Sequence, residues 1–142
     1  GKGQIRYSIF NGSQSIKMSP EELAKQRYTQ ISKNIVSKLL ALHSDKNFVK
    51  RILNAKDYPD MPTPKGYGPK GHTSTHLMAT AEVDGKSIMF PMISYDEKKK
   101  SLYMPKDPVR EALDKGDFIE FSKPEEAEWF SKNYKLGMPD KD

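Results

Sequence analysis

The sequence predicts a mixed α+β protein: an N-terminal arm and basic amphipathic helices, then an antiparallel sheet packed with two short helices in the order β-β-β-α-β-α. Three observations predict it. Residues 19–43 carry apolar side chains at helical spacing behind a capped start. Residues 77–92 carry them at strand spacing on either side of Asp84-Gly85. Between the two, "DYPDMPTPKGYGPKG" at 57–71 holds four prolines and three glycines, which neither a helix nor a central strand accommodates.

In chain order, residues 1–18 show scattered apolar side chains (Ile5, Tyr7, Ile9, Phe10) and a turn-like "NGS", and read as an extended arm that orders only by packing on something. Ser19 is placed as an N-cap, Pro20 as the first helical residue and Glu22 as the partner in a capping box. Leu23, Tyr28, Ile31, Ile35, Leu39 and Leu42 then recur every three to five residues and predict the buried face, with Lys25, Lys33 and Lys38 opposite. A second helix restarts behind Ser44, with Phe48, Val49, Ile52 and Leu53 as its apolar side. The Pro/Gly stretch is then a linker or a wrapped loop.

Leu77, Ala79, Ala81 and Val83 alternate on the first strand, and Ile88, Phe90 and Met92 on the second. Asp84-Gly85 between them suits a type I′ turn, in which both positions take φ > 0. Pro91 predicts a free edge or a bulge. "DEKKK" reads as a polar turn into a third strand, "SLYM". Asp107 caps a short helix stopped by Gly116, "DFIEF" is a brief strand, and Ser122 with Glu125 opens the last helix. Ala127, Phe130 and Tyr134 are its buried side, with Trp129 beside them and Gly137 at its end. The expected divisions are an arm at 1–18, a basic helical segment at 19–56, a linker at 57–73, the α+β module at 74–137 and a polar tail at 138–142.

At 35% hydrophobic residues the chain can bury only a modest core. A mean hydropathy of -0.80 leaves no run of the roughly 18 apolar residues that a spanning helix needs. Without cysteine, disulfides and thiolate zinc sites are excluded. The start, "GKGQIRYSIF", has no initiator Met and no signal-peptide h-region, as expected of a processed or tagged product or a piece of something longer. Residues 1–57 hold eleven Lys and Arg against four acids, whereas 58–142 hold thirteen against fifteen. A basic front half predicts an acidic partner, either nucleic acid or a protein surface, against the plainer reading of a solvated basic helix.

No catalytic constellation emerges. His72 and His76 are four apart, but "TST" and the preceding Pro/Gly run deny the helix that would align them, and no third ligand is nearby. Ser74, His76 and Asp84 have the residue types of a triad without a nucleophile elbow. Glu82, Glu120, Glu125 and Glu126 are explained by a turn, helix starts and solvation better than by glycoside hydrolysis. "PKGYGPKG" lacks the Gly-Lys-Ser/Thr ending of a phosphate loop, although Lys65, Tyr67 and Lys70 have the chemistry to stack on and neutralise a single strand.

"STHLMATAEVDGKSIMFPMI" followed by "PVREALDKGDFIEFSKPEEAEWFSKNYK" resembles a small module that recurs in proteins of tailed bacteriophages, and "NFVKRIL" at 47–53 is similar to the segment that often precedes it. The family occurs in virion-internal cargo or ejection proteins of crAss-like and podovirus-like phages. The chain departs from it in the long Pro/Gly insert and in "SYDEKKKSLYM", where a shorter, Gly-containing turn is expected. The resemblance implies a location in the virion and a packing role, and it transfers no catalytic residue or cofactor.

The expectation is therefore a non-catalytic virion structural or cargo protein made in the bacterial cytoplasm. It would dock to portal, tail or head subunits or to packaged DNA, without a membrane span. Lys25, Arg27, Lys33, Lys38, Lys50 and Arg51 would neutralise acidic groups, and Ile5, Tyr7, Ile9 and Phe10 of the arm would insert into a partner or add a strand to it. The alternatives are a phage-delivered enzyme (a cell-wall hydrolase or nucleic-acid-modifying factor) using Glu82, His72 or His76, and a single-strand binder using Tyr58, Tyr67 and the basic helix.

Overall fold

The computed structural model describes residues 7–11 and 14–139, at 7–11 and 14–17 as backbone alone. The chain is mixed α+β. Where an extended arm is expected, β1 (Tyr7–Asn11) and β2 (Gln14–Met18) pair antiparallel, Tyr7 opposite Met18 and Asn11 opposite Gln14. An Asn-Gly-Ser sequence between two β-prone runs favours this self-pairing.

Helix α1 (Pro20–Leu42) starts at the predicted cap, the Glu22 amide donating to Ser19 Oγ at 3.1 Å, which is one half of the expected capping box. Its buried residues are Ser32, Val36 and Leu40, so the core-facing side lies to one side of the predicted one. Helix α2 (Asn47–Leu53) begins at Lys46 rather than Ser44, and Lys46 supplies no side-chain cap. Phe48, Val49 and Ile52 are fully buried on it. A single 3-10 turn (Ala55–Asp57) leads into the Pro/Gly stretch, which is a wrapped loop. Its ends meet in a two-residue pairing of β3 (Met61–Pro62) with β4 (Thr73–Ser74), where the Thr63 and Ser74 hydroxyls lie 2.7 Å apart.

The main sheet has the order β5-β6-β9 and is antiparallel throughout: β5 (Met78–Val83), β6 (Lys86–Pro91) and β9 (Ile119–Phe121). Asp84 (φ 52) and Gly85 (φ 78) make the predicted two-residue turn. Strand β6 is central and buried on both faces, not alternating, which is what an uninterrupted "SIMFP" run records. Pro91 ends it, beyond Met89, where pairing with β9 stops, so its missing N–H costs no ladder bond on that side. "SYDEKKKSLYM" holds a strand that composition hides. β7 (Ser94–Asp96) and β8 (Ser101–Tyr103) form a separate hairpin, with Asp96 Oδ1 accepting from the Lys98 and Lys99 amides in the turn.

Helix α3 (Pro108–Lys115) is capped by Asp107 Oδ1 and stopped by Gly116 in the left-handed region, both as predicted. Helix α4 (Pro124–Asn133) starts one residue later than Ser122 predicts: Lys123 is the cap residue, and its amide donates to Glu126 Oε1 at 3.0 Å. A 3-10 turn (Tyr134–Gly137) follows and packs against α1. Met89 and Ile119 meet Val36, Leu40, Phe48, Val49, Ile52, Phe130 and Tyr134 on one face of the sheet. Ile88 and Phe90 meet Ala112 on the other, with Val109 and Leu113 against them. The helical segment 19–56 and the module 74–137 therefore share a single core.

Candidate functional site

At about 100° per residue, α1 carries two apolar stripes side by side. Ser32, Val36 and Leu40 face the core. Tyr28, Ile31, Ile35 and Leu42 lie on the adjoining flank in solvent, Tyr28 at 62% and Ile31 at 57% exposure. No residue of α1 before Ser32 is buried, so the first twelve residues of the helix, about 18 Å, carry no side chain into the core. Where the exposed stripe reaches the body, Ile35 and Leu39 form a groove of about 560 Å³ with Phe121 and Trp129, edged by Lys38, Glu125 and Glu126. Trp129 Nε1 donates to the Tyr28 hydroxyl at 3.4 Å, a long bond that ties the groove to the projecting turns.

Lys25, Arg27, Lys33 and Lys38 are all exposed on α1, but they are spread around it, with Arg27 and Lys38 on the side away from the core. Lys50 is exposed on α2. Arg51 is not on the basic surface: it is 3% exposed and its Nη2 donates to the Ile93 carbonyl at 2.6 Å. Tyr7 and Phe10 lie on β1, and Ile5 lies outside the described residues.

The groups weighed for catalysis do not converge. His72 and Glu82 are exposed at separate places, while His76 is buried with its ring edge-on to Tyr134. Among the described residues no three His, Asp or Glu are placed to hold a metal ion. Tyr58 is engaged edge-to-face with Tyr95 at 5.0 Å, and Tyr67 is exposed on the Pro/Gly loop.

A second feature sits beneath α2, where a small polar cavity of about 120 Å³ is lined by Arg51, Asp117, Ser94 and Tyr58, among others. Asp117 follows the left-handed Gly116 and reaches across to α2, accepting from the Phe48 amide at 3.1 Å. It thus caps a helix distant in sequence whose own cap residue offers nothing. Lys46 Nζ closes the same junction by donating to the Gly116 carbonyl at 3.0 Å. Burial pushes the Asp117 carboxyl above its usual range against these donors, and burial likewise lowers the Arg51 guanidinium despite the Asp117 charge. Ser94, which lines the cavity, donates from its Oγ to Glu111 at 2.8 Å, and Glu111 also accepts from the Tyr103 hydroxyl at 3.0 Å. Sequence reasoning missed Asp117 altogether and put Arg51 outside. The available signal was weak: at about 100° per residue Arg51 stands about 60° from Phe48, at the edge of the apolar arc of α2 and not inside it. Comparison with protein-family models, with curated proteins and with solved structures finds no match for this chain.

Proposed function

We propose that this chain is a non-catalytic docking module of a tailed-phage virion protein, held to a neighbouring portal, tail or head subunit through α1. The observation that carries the docking reading is the exposed stripe Tyr28, Ile31 and Ile35 running into the Trp129–Phe121 groove. A contiguous apolar patch of this kind marks an interaction surface. Lys38 and the two carboxylates Glu125 and Glu126 at its edge favour a partner whose apolar patch is fringed by charges of both signs. Assignment to a phage particle rests on the sequence resemblance. Packaged DNA is the second reading, favoured by exposed Lys25, Arg27, Lys33 and Lys38, but phosphates gain nothing from Ile31 or Ile35. Among the described residues no helix is long and apolar enough to cross a membrane.

The test compares Ile31→Glu with Lys33→Glu in two assays: retention in purified particles of the encoding phage, and fluorescence anisotropy with duplex DNA between about 50 and about 200 mM salt. The expected result is loss of Ile31→Glu from particles with unchanged circular dichroism, and weak DNA binding. A steep salt slope abolished by Lys33→Glu and untouched by Ile31→Glu would transfer the attachment to DNA. Absence of the wild-type chain from particles would overturn the virion reading.

A further inference from the structure

We propose that the cavity under α2 binds a protonated oxyanion of the phosphate type, with Arg51 as its cationic anchor and Asp117 as acceptor for its remaining proton. Arg51 is 3% exposed, yet among the described residues no carboxylate forms an ion pair with it. Its Nη2 is used on the Ile93 carbonyl, and its Nε is buried without a hydrogen-bond partner. A buried guanidinium in that condition is costly, because lost hydration is replaced by one neutral acceptor and the charge of Asp117 beyond ion-pair distance. The cavity it lines has room for several waters or for one tetrahedral anion, which accepts in the planar fork geometry that arginine presents.

Two further features select the ligand. Lys50 and Lys115 stand at the lining and add positive charge, though Lys115 also pairs with Glu111 at 3.7 Å. Asp117 and Glu97 line the same space and repel a fully deprotonated anion. Hydrogen phosphate or a phosphate monoester in its singly protonated form has a P–OH to give Asp117. Sulfate at neutral pH has none. A buried acceptor that expects a hydroxyl discriminates strongly against an isostere lacking it.

The experiment is isothermal titration of inorganic phosphate, and separately of sulfate, into the intact chain near neutral pH at matched ionic strength. A small phosphate monoester in a third titration tells free phosphate from an esterified group. Phosphate is expected to bind at least about tenfold tighter than sulfate. Asp117→Asn keeps an oxygen acceptor for the Phe48 amide and is expected to bring the two anions to similar affinity. Lys50→Ala, an exposed change that leaves the core alone, is expected to weaken phosphate. Arg51→Lys, checked for folding by circular dichroism, is expected to abolish binding. Equal affinity for sulfate and phosphate in the wild-type chain, or no heat with millimolar phosphate, overturns the proposal. So does a phosphate preference that survives Asp117→Asn.

Discussion

Single side chains decide three local contests. Gly137 lies where a Cβ would stand 2.7 Å from Leu40 Cδ1 and 2.9 Å from Val36 Cγ1, so Gly137→Ala forces the 3-10 turn or these two core side chains to shift. A loss of about 1–3 kcal/mol in urea denaturation is expected, since overpacking a filled core costs that much. Asp117→Ala removes the cap from α2 and is expected to cost about 1–2 kcal/mol, with Asp117→Asn close to wild type because the amide oxygen still accepts. Equal losses in both would assign the effect to charge instead. Burial raises the Tyr134 phenol from 10.0 to about 12. The unfolded chain releases that proton first, so the stability tied to it is whole below pH 10 and is lost as pH climbs toward 12. The limiting slope is about 1.4 kcal/mol per pH unit, and Tyr134→Phe, measured by denaturant titration across that range, should lack it. Residues whose roles are local were legible: Ser19 and Asp107 as caps, Gly116 as a stop, Asp84-Gly85 as a turn. Asp117 was not, because it serves a helix some seventy positions away and nothing nearby in the sequence marks its partner.

At the scale of elements, α1 shows how periodicity finds a helix and misplaces its face. Apolar residues cover more of its circumference than the body contacts. Of the longer series, Tyr28, Ile31, Ile35 and Leu42 are left in solvent and Leu39 only flanks the core, while Val36 and Leu40 are sealed. Val36→Ala is therefore expected to lower stability by about 1–3 kcal/mol, a truncation inside the core. Ile31→Ala should stay within about 0.5 kcal/mol, as exposed substitutions do. The reverse ranking in thermal or urea denaturation would restore the sequence-derived face. Strand β6 misled in the opposite sense: alternation suggested one buried side, and only the helices on both faces explain why Met89 is as buried as Ile88 and Phe90. The β7 strand was illegible because three residues between the Met92–Ile93 bend and a charged turn carry too little pattern to register. The apolar groove was half legible, since Ile35 and Leu39 were placed on one face of α1 and Trp129 on α4, but nothing along the chain brings Ile35 to Phe121.

For the whole molecule, the Pro/Gly stretch 57–71 looks like a boundary because composition reports on local chain stiffness. Whether a boundary exists depends on what crosses it, and here the core crosses it. Val36, Leu40, Phe48, Val49 and Ile52 from before the stretch are packed with Met89, Ile119, Phe130 and Tyr134 from after it. Each such large side chain gains roughly 1.5–3 kcal/mol on burial, so losing five contributors removes an amount comparable to the whole net stability of a small domain. The chain is thus expected to unfold as one unit. Far-ultraviolet circular dichroism, dominated by the helices, and fluorescence of Trp129, which reports the α4–α1 junction, should give superimposable urea transitions. A fragment spanning 57–142 should show no cooperative transition and should bind a hydrophobic dye, since the face of its sheet that keeps α4 has lost the side chains of α1 and α2 that complete its cover. Two separated transitions in the full chain, or a cooperatively folded fragment, would mean that the sheet and its two short helices stand alone and that α1 and α2 dock onto a finished module.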